Sequence, residues 1–260
     1  MSTIATEIAP VITAQPSANP IIRCSSLQKW YGAVHALKDV DFHAERGEVI
    51  GLVGDNGAGK STLIKILSGV HTQDQGQIFI EGSEVAITGP EVAMRLGIET
   101  IYQYTAMVPE MTIAQNFFIG REPLKFGRPG LGVVDRDKMR RESMEGLKGV
   151  GLHLRGPDTP VKALSGGQRQ GVAIARAMHF RSKVLILDEP TNHLSVKETN
   201  KVLDHVVELK AQGVTSIFIS HNLHHIHPIS DRIVAMARGQ KVLDVPRDDV
   251  SVEEMTRIIS

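Results

Sequence analysis

"EVIGLVGDNGAGKSTLIKILSG", Glu48 to Gly69, decides the fold. Its opening, "EVIGLVG" (Glu48 to Gly54), is a short apolar run closed by glycine, the pattern of a strand buried on both faces. Its close, "KSTLIKILSG", reads as a helix. Between them "GDNGAGKS", Gly54 to Ser61, matches the phosphate-binding pattern G-x-x-x-x-G-K-[ST] in the strand–turn–helix context that pattern requires. The glycines let the backbone bend so that successive N–H groups point inward at phosphate oxygens. The helix adds its positive N-terminal end. Lys60 is a cation for the β- and γ-phosphates, and the Ser61 hydroxyl is a ligand for Mg²⁺.

Working outward, the same alternation recurs. "VLILD" (Val184 to Asp188) and "TSIFIS" (Thr215 to Ser220) are further buried strands, separated by the helix-like "VKETNKVLDHVVELKAQG". Continuous apolar strands between helices predict a parallel sheet covered on both faces. "VDFHA" and "GQIFIEG" predict an N-terminal antiparallel β subdomain. Helix-like segments with few strand signals fill Ile113 to Met178, among them "RDKMRRESMEGLKGVGL", with a Gly/Pro-rich loop at "KFGRPGLG". They predict a helical subdomain, roughly 104–178, inserted into the sheet domain. "RIVAMARGQKVLDV" predicts a hairpin about Arg238-Gly239, and "SVEEMTRIIS" a closing helix. The expected class is therefore α/β: a phosphate-loop NTPase core over 21–260, preceded by a loose tail over 1–20 that is rich in Pro, Ala, Ser and Thr.

The bulk numbers bound the function. The 260 residues are 42% hydrophobic and 22% charged, as in ordinary globular proteins. Lys and Arg number 29, balanced by 29 Asp and Glu, which argues against gripping nucleic acid through its backbone charge. The single cysteine, Cys24, excludes an internal disulfide and reads as a packing residue. No apolar run reaches the ~18 residues of a membrane span. The N-terminus has no Lys or Arg before its apolar part and reads poorly as a secretion signal.

Five further features bear on chemistry. "VLILDEP" ends a buried strand in two carboxylates: Asp188 can hold Mg²⁺, and Glu189 can polarise the water that attacks a γ-phosphate. His221 follows the strand "SIFIS", and ligands of open parallel sheets sit at such strand ends. Its neighbours His224, His225 and His227 are irregularly spaced and read as helix-surface residues rather than a metal cluster. Gln103 ends "IETIYQ" and can reach Mg²⁺ or the water. Tyr31, in "KWYG" before the first strands, reads equally as a stacking platform for adenine or as a core aromatic. Finally, "LSGGQRQGVAIARA", Leu164 to Ala177, begins a helix with Ser-Gly-Gly, a second anion-binding helix start.

Taken in order, these residues resemble the ATP-binding subunit of ABC transporters, over roughly Ile21 to Val245. The resemblance implies ATP and Mg²⁺ as ligands. ATP contacts would come from Tyr31, Gly54, Asp55, Asn56, Gly57, Ala58, Gly59, Lys60, Ser61 and Thr62. Mg²⁺ would be held by Ser61, Gln103 and Asp188, with Glu189, His221 and Gln103 catalytic. In this family two such domains pack head to tail. The signature Leu164, Ser165, Gly166, Gly167 and Gln168 of one then faces the γ-phosphate held by the other, which accounts for the second anion site.

"GIETIYQYTAMVPEMTIAQNFFIGREP" (Gly97 to Pro123) resembles the monosaccharide-import branch, departing from it at Tyr104 and Gln115. In the family this stretch contacts the membrane subunit. "NHLS" (Asn192 to Ser195) stands where Ser-Ala-Leu-Asp is usual, so Ser195 replaces an aspartate. The expected partners are a second copy of the chain, transmembrane permease subunits and, indirectly, a solute-binding protein. The expected location is peripheral, on the cytoplasmic face of the inner membrane. A soluble ABC regulator of ribosomes or DNA would call for paired domains or a coiled-coil insertion. A kinase or GTPase would lack the signature at Leu164, and no guanine-reading motif is present.

Overall fold

The computed structural model describes residues 17–102, 107–127 and 132–259. Gln103 and Tyr104 lie outside the described residues, as does the part of the expected tail over 1–16. From Ser17 the chain is anchored: its backbone N–H and Oγ both donate to the Glu45 carboxylate, at 2.8 and 2.5 Å, and Pro20 is buried.

Among the described residues the strands are β1 (Ile22–Tyr31), β2 (Val34–Ala44), β3 (Val49–Val53), β4 (Gln75–Ile80), β5 (Ser83–Val85), β6 (Ile98–Ile101), β7 (Leu124–Phe126), β8 (Val133–Val134), β9 (Val184–Asp188), β10 (Thr215–Ile219), β11 (Arg232–Ala237) and β12 (Gln240–Pro246). The α-helices are α1 (Lys60–Leu67), α2 (Pro90–Arg95), α3 (Ile113–Phe118), α4 (Arg136–Gly149), α5 (Gly166–His179), α6 (Val196–Ala211), α7 (Leu223–Ile226) and α8 (Val252–Ile259). The chain forms two compact units. One holds the described residues up to Thr100, Lys183–Glu189 and Val206 onward; the other holds Ile101–Ser182 and Pro190–His205.

The first unit contains a six-stranded sheet in the order β12-β11-β3-β10-β9-β6. β3, β10, β9 and β11 pair in parallel, and β12 runs antiparallel at the edge. All five residues of β3 and of β10 are buried, so neither strand has a solvent-exposed face. Each buried Val, Leu or Ile contributes about 1.5–3 kcal/mol, which holds these short strands in the middle of the sheet. Leu63, Ile64, Ile66 and Leu67 of α1 belong to the same core. The β11–β12 turn at Arg238 and Gly239 has φ of 50° and 83°, the left-handed pair of a two-residue hairpin loop. A second, antiparallel sheet has the order β2-β1-β4-β5. Its centre is β1, which the sequence pattern does not reveal, and Tyr31 is the last residue of that strand rather than a residue ahead of the first strands.

The other unit is mainly helical. Thr112 caps α3 and forms a reciprocal box with Gln115, whose Oε1 accepts from the Thr112 N–H at 2.9 Å. Gln115 thus performs the capping that a Glu would perform. Phe117, Phe118, His179 and Phe180 form an aromatic core with ring centroids 4.9–6.4 Å apart. Gly146 of α4 lies against Phe117, where a Cβ would sit 2.7 Å from the ring. Among the described residues the few strands of the block are β7 and β8, which form a small antiparallel hairpin.

Candidate functional site

The loop between β3 and α1 has left-handed or extended-positive φ at Gly54 (146°), Gly57 (80°) and Gly59 (107°). A Cβ at Gly54 would collide with the Met236 carbonyl oxygen, so only glycine fits there. The loop is fastened from outside by Gly239, whose N–H donates to the Ala58 carbonyl at 2.9 Å. Lys60 Nζ turns into the loop and donates to the carbonyls of Gly54 (2.6 Å) and Asp55 (3.1 Å). Burial pulls this ammonium below its ordinary pKa, opposed by the charges of Glu189, Asp188 and Asp55. Asp55, Asn56 and Gly57 are exposed around the loop, Ala58 is buried beneath it, and Ser61 and Thr62 lie in the first turn of α1, Ser61 exposed.

Asp188 is the last residue of β9, level in register with Ile219 at the end of β10. Burial pushes its carboxyl above the usual carboxylate range, and Glu189 adds to the shift against Lys60 and Lys65. Glu189 follows at φ 51°, a strained conformation for a residue with a side chain. It is held there by its own N–H, which donates to the Ile219 carbonyl at 2.9 Å. Its Oε2 lies 3.0 Å from His221 Nδ1, so with an ionised Glu189 the imidazole carries its proton on Nδ1. The Glu189 side chain is 14% exposed and that of His221 71%. Parallel strand ends thus bring Asp188, Glu189, His221 and the Lys60 loop together in one unit. His224 is exposed and His225 half-buried, while His227 Nε2 bonds the Val250 carbonyl at 2.9 Å. Among the described residues no group of three or more His, Cys, Asp or Glu could hold a metal. Cys24 is buried and its thiol is pushed up to about 12 by desolvation and then by Asp41, so it is inert.

Tyr31 is 39% exposed. His71 packs edge-on against its ring, centroids 5.4 Å apart. Lys29 Nζ stands 5.7 Å from the ring centroid and is paired with Asp74 at 2.9 Å. Trp30 stacks on His35 with rings 4.1 Å apart.

In the helical unit Ser165 is the N-cap of α5. Its Oγ accepts from the Gln168 N–H at 3.3 Å, and Gln168 Oε1 accepts from the Ser165 N–H at 2.9 Å. Leu164 is buried behind the cap, and Gly166 and Gly167 form the first turn. A side chain at Gly167 would meet Glu198 Cγ at 2.8 Å, and one at Gly166 would meet Leu194 at 2.9 Å.

Residues 37–192 match the family model described as ABC transporter. The chain is 40% identical over 240 residues to the xylose/arabinose import ATP-binding protein of Sulfolobus acidocaldarius, covering 92% of this chain and 94% of that protein. The chain belongs to the ABC transporter family. It is also 41% identical to the fructose import ATP-binding protein of Rhizobium meliloti, covering 90% of this chain and 92% of that one. It is 40% identical to a ribose import ATP-binding protein of Streptomyces avermitilis, of whose length the match covers 45%. Among solved structures, a nucleotide-free ATP-binding cassette from an ABC transporter superposes with TM-score 0.79 at 26% identity, covering 92% of this chain and 95% of that one. A cassette in its ADP conformation does so with TM-score 0.76 at 26% identity, covering 92% and 94%. The fold is that of an ATP-binding cassette.

Two structural features of this site escape sequence reasoning. One is the strained backbone at Glu189. The other is Glu198, whose carboxylate sits on the start of α5. A signal for Glu198 exists in "SVKE", a Ser-x-x-Glu helix start, but it says nothing about a contact to residues more than thirty positions earlier.

Proposed function

We propose that this chain is the ATP-hydrolysing subunit of an ABC importer that takes up a small solute, a monosaccharide on the likeness to its relatives. The observation that carries the reading is the cluster of Glu189, His221, Asp188 and the Lys60 loop at the ends of parallel strands. The printed functions of the xylose, fructose and ribose relatives support the sugar.

ATP lies with its phosphates in the Gly54–Thr62 loop, whose N–H groups and Lys60 neutralise them, and with its adenine against Tyr31. Lys60 exchanges its bonds to the loop's carbonyls for bonds to phosphate oxygens. Glu189 accepts a proton from the attacking water, and His221, bonded to Glu189, keeps that carboxylate oriented and presents its other nitrogen toward the γ-phosphate. Asp188 and the exposed Ser61 hydroxyl are hard oxygen donors suited to Mg²⁺, and a cation beside Asp188 would relieve its repulsion with Glu189. Bound there, Mg²⁺ supplies positive charge for the phosphates; Gln103 is assigned to it by resemblance. Ser165, Gly166 and Gly167, flanked by Leu164 and Gln168, meet the γ-phosphate of a second copy, so ATP joins two chains and hydrolysis parts them.

A cavity of about 410 Å³ in the helical unit, lined by Met111, Gln115, Ile119, Met139, Arg140 and Asp158 among others, is the seat for a permease segment. No helix among the described residues is long and apolar enough to cross a membrane. The permease partner and a peripheral place on the cytoplasmic face are read from the likeness to import ATP-binding proteins. A solute-binding protein delivers the sugar to that permease. The test is retrieval of the tagged chain from detergent-solubilised native membranes. A co-purifying multi-span permease, with sugar-stimulated ATP turnover in the recovered complex, is expected. Recovery with ribosomal or DNA-bound partners alone would overturn the importer reading.

A further inference from the structure

The start of α5 is not bare. Ser165 Oγ donates to Glu198 Oε1 at 2.8 Å, and the Gly167 N–H donates to the same oxygen at 3.3 Å. The other oxygen, Glu198 Oε2, accepts from the Ser195 N–H at 3.1 Å and from Ser195 Oγ at 2.9 Å. Every one of these groups lies within the helical unit. One carboxylate therefore takes four donors, two from the signature and two from the loop that precedes α6. These bonds, led by that from Ser165, hold its pKa down to about 2, so it is an anion at any working pH. Fit is close as well as polar: Gly167 leaves only enough room for the Glu198 side chain to pass.

An anion at a helix N-terminus is favourable, and a hydroxyl has one proton to donate. The Ser165 hydroxyl and the Gly167 N–H cannot serve Glu198 and a phosphate oxygen together, and two anions at one helix start repel. We propose that Glu198 is an internal gate on the signature, its carboxylate occupying the donors of Ser165 and Gly167 until the phosphate of a nucleotide held by a second copy displaces it. This rests on the head-to-tail reading given above. Ser195 is the retainer: once Oε1 is displaced, Oε2 keeps its two bonds there, so the side chain swings rather than leaves. The loop after β9 and the signature are thereby tied through one side chain, and occupation of the signature is reported directly to Ser195, the position at which this chain departs from the usual aspartate. Removing the gate should tighten, not loosen, the ATP-dependent association.

The test uses the full chain carrying Glu189→Gln, expected to bind ATP without consuming it, with and without Glu198→Ala or Glu198→Gln. Association is followed by light scattering across a series of ATP concentrations, and thermal melting reports folding. The expected result is that Glu198→Ala lowers the ATP concentration at half-association by about ten-fold, the equivalent of ~1.4 kcal/mol. The neutral isostere Glu198→Gln should shift it in the same direction by less. Association unchanged or weakened in folded Glu198→Gln would overturn the gate while leaving the head-to-tail reading intact. Absence of ATP-dependent association even in the Glu189→Gln parent would overturn that reading and the gate with it.

Discussion

The chain has two helix starts built for an anion, and each is filled differently by the chain itself. At α1 the loop is shaped by glycines at positive φ and the internal occupant is a cation, Lys60, folded onto the carbonyls of Gly54 and Asp55. At α5 the start is shaped by a Ser–Gln capping box and the occupant is an anion, Glu198. The first site needs only to exchange partners for phosphate; the second must shed a like charge first. Two sites of similar geometry thus differ in their order of filling. On the proposed reading, nucleotide enters the phosphate loop first, and the signature responds only when a phosphate is presented strongly enough to compete.

That contrast can be broken at several points. Glu189→Gln should have the largest effect, lowering ATP turnover by about 10²–10⁴-fold, the usual worth of a general base, with ATP binding retained; phosphate release and nucleotide binding measured side by side check it. Lys60→Ala removes the occupant of the first site and should weaken ATP binding by roughly 10–100-fold, the scale of a charged hydrogen bond, while melting of the nucleotide-free chain changes little. Tyr31→Ala should weaken ATP binding by less, about 1–2 kcal/mol of lost stacking, and should leave binding of inorganic triphosphate unaltered.

The smallest effect concerns pH. Asp188 has a folded pKa raised above its unfolded value, so its ionisation in the folded chain costs stability. That cost is absent at low pH and grows as pH rises through the raised value. Asp188→Asn should therefore raise the melting temperature of the nucleotide-free chain at neutral pH. Below the ordinary aspartate range the gain should vanish. Melting curves of both proteins across pH give the comparison.

Much of this architecture is legible in the sequence because its signals are local. β3, β9 and β10 are unbroken apolar runs, α1 follows a loop that only glycines can form, and Arg238-Gly239 marks its hairpin. β1 is not legible. Its pairing shifts register between Cys24 and Leu27 and twice more before Tyr31, and Ser26 has φ 50°. These bulges destroy the two-residue alternation that identifies a strand. β7 and β8, at three and two residues, are too short to carry any periodicity.

At the site, residue types and spacing give Lys60, Asp188, Glu189, His221 and Ser165 as candidates. They do not give the bond between Glu189 and His221, nor the strained backbone that aims it, because both depend on how parallel strand ends are brought level. Glu198 is the clearest case. Its role as a helix-start residue is written in "SVKE", but its grip on Ser165 spans 33 positions and exists only in the fold.

The central claim is that one nucleotide is held by the phosphate loop of one chain and the signature of another. Its most direct test mixes two variants, both carrying Glu189→Gln: one with Lys60→Ala, the other with Ser165→Arg. Each alone should remain monomeric with ATP. Their mixture should associate, because the intact loop of one chain meets the intact signature of the other. A mixture that stays monomeric, while the Glu189→Gln parent associates, would contradict the account.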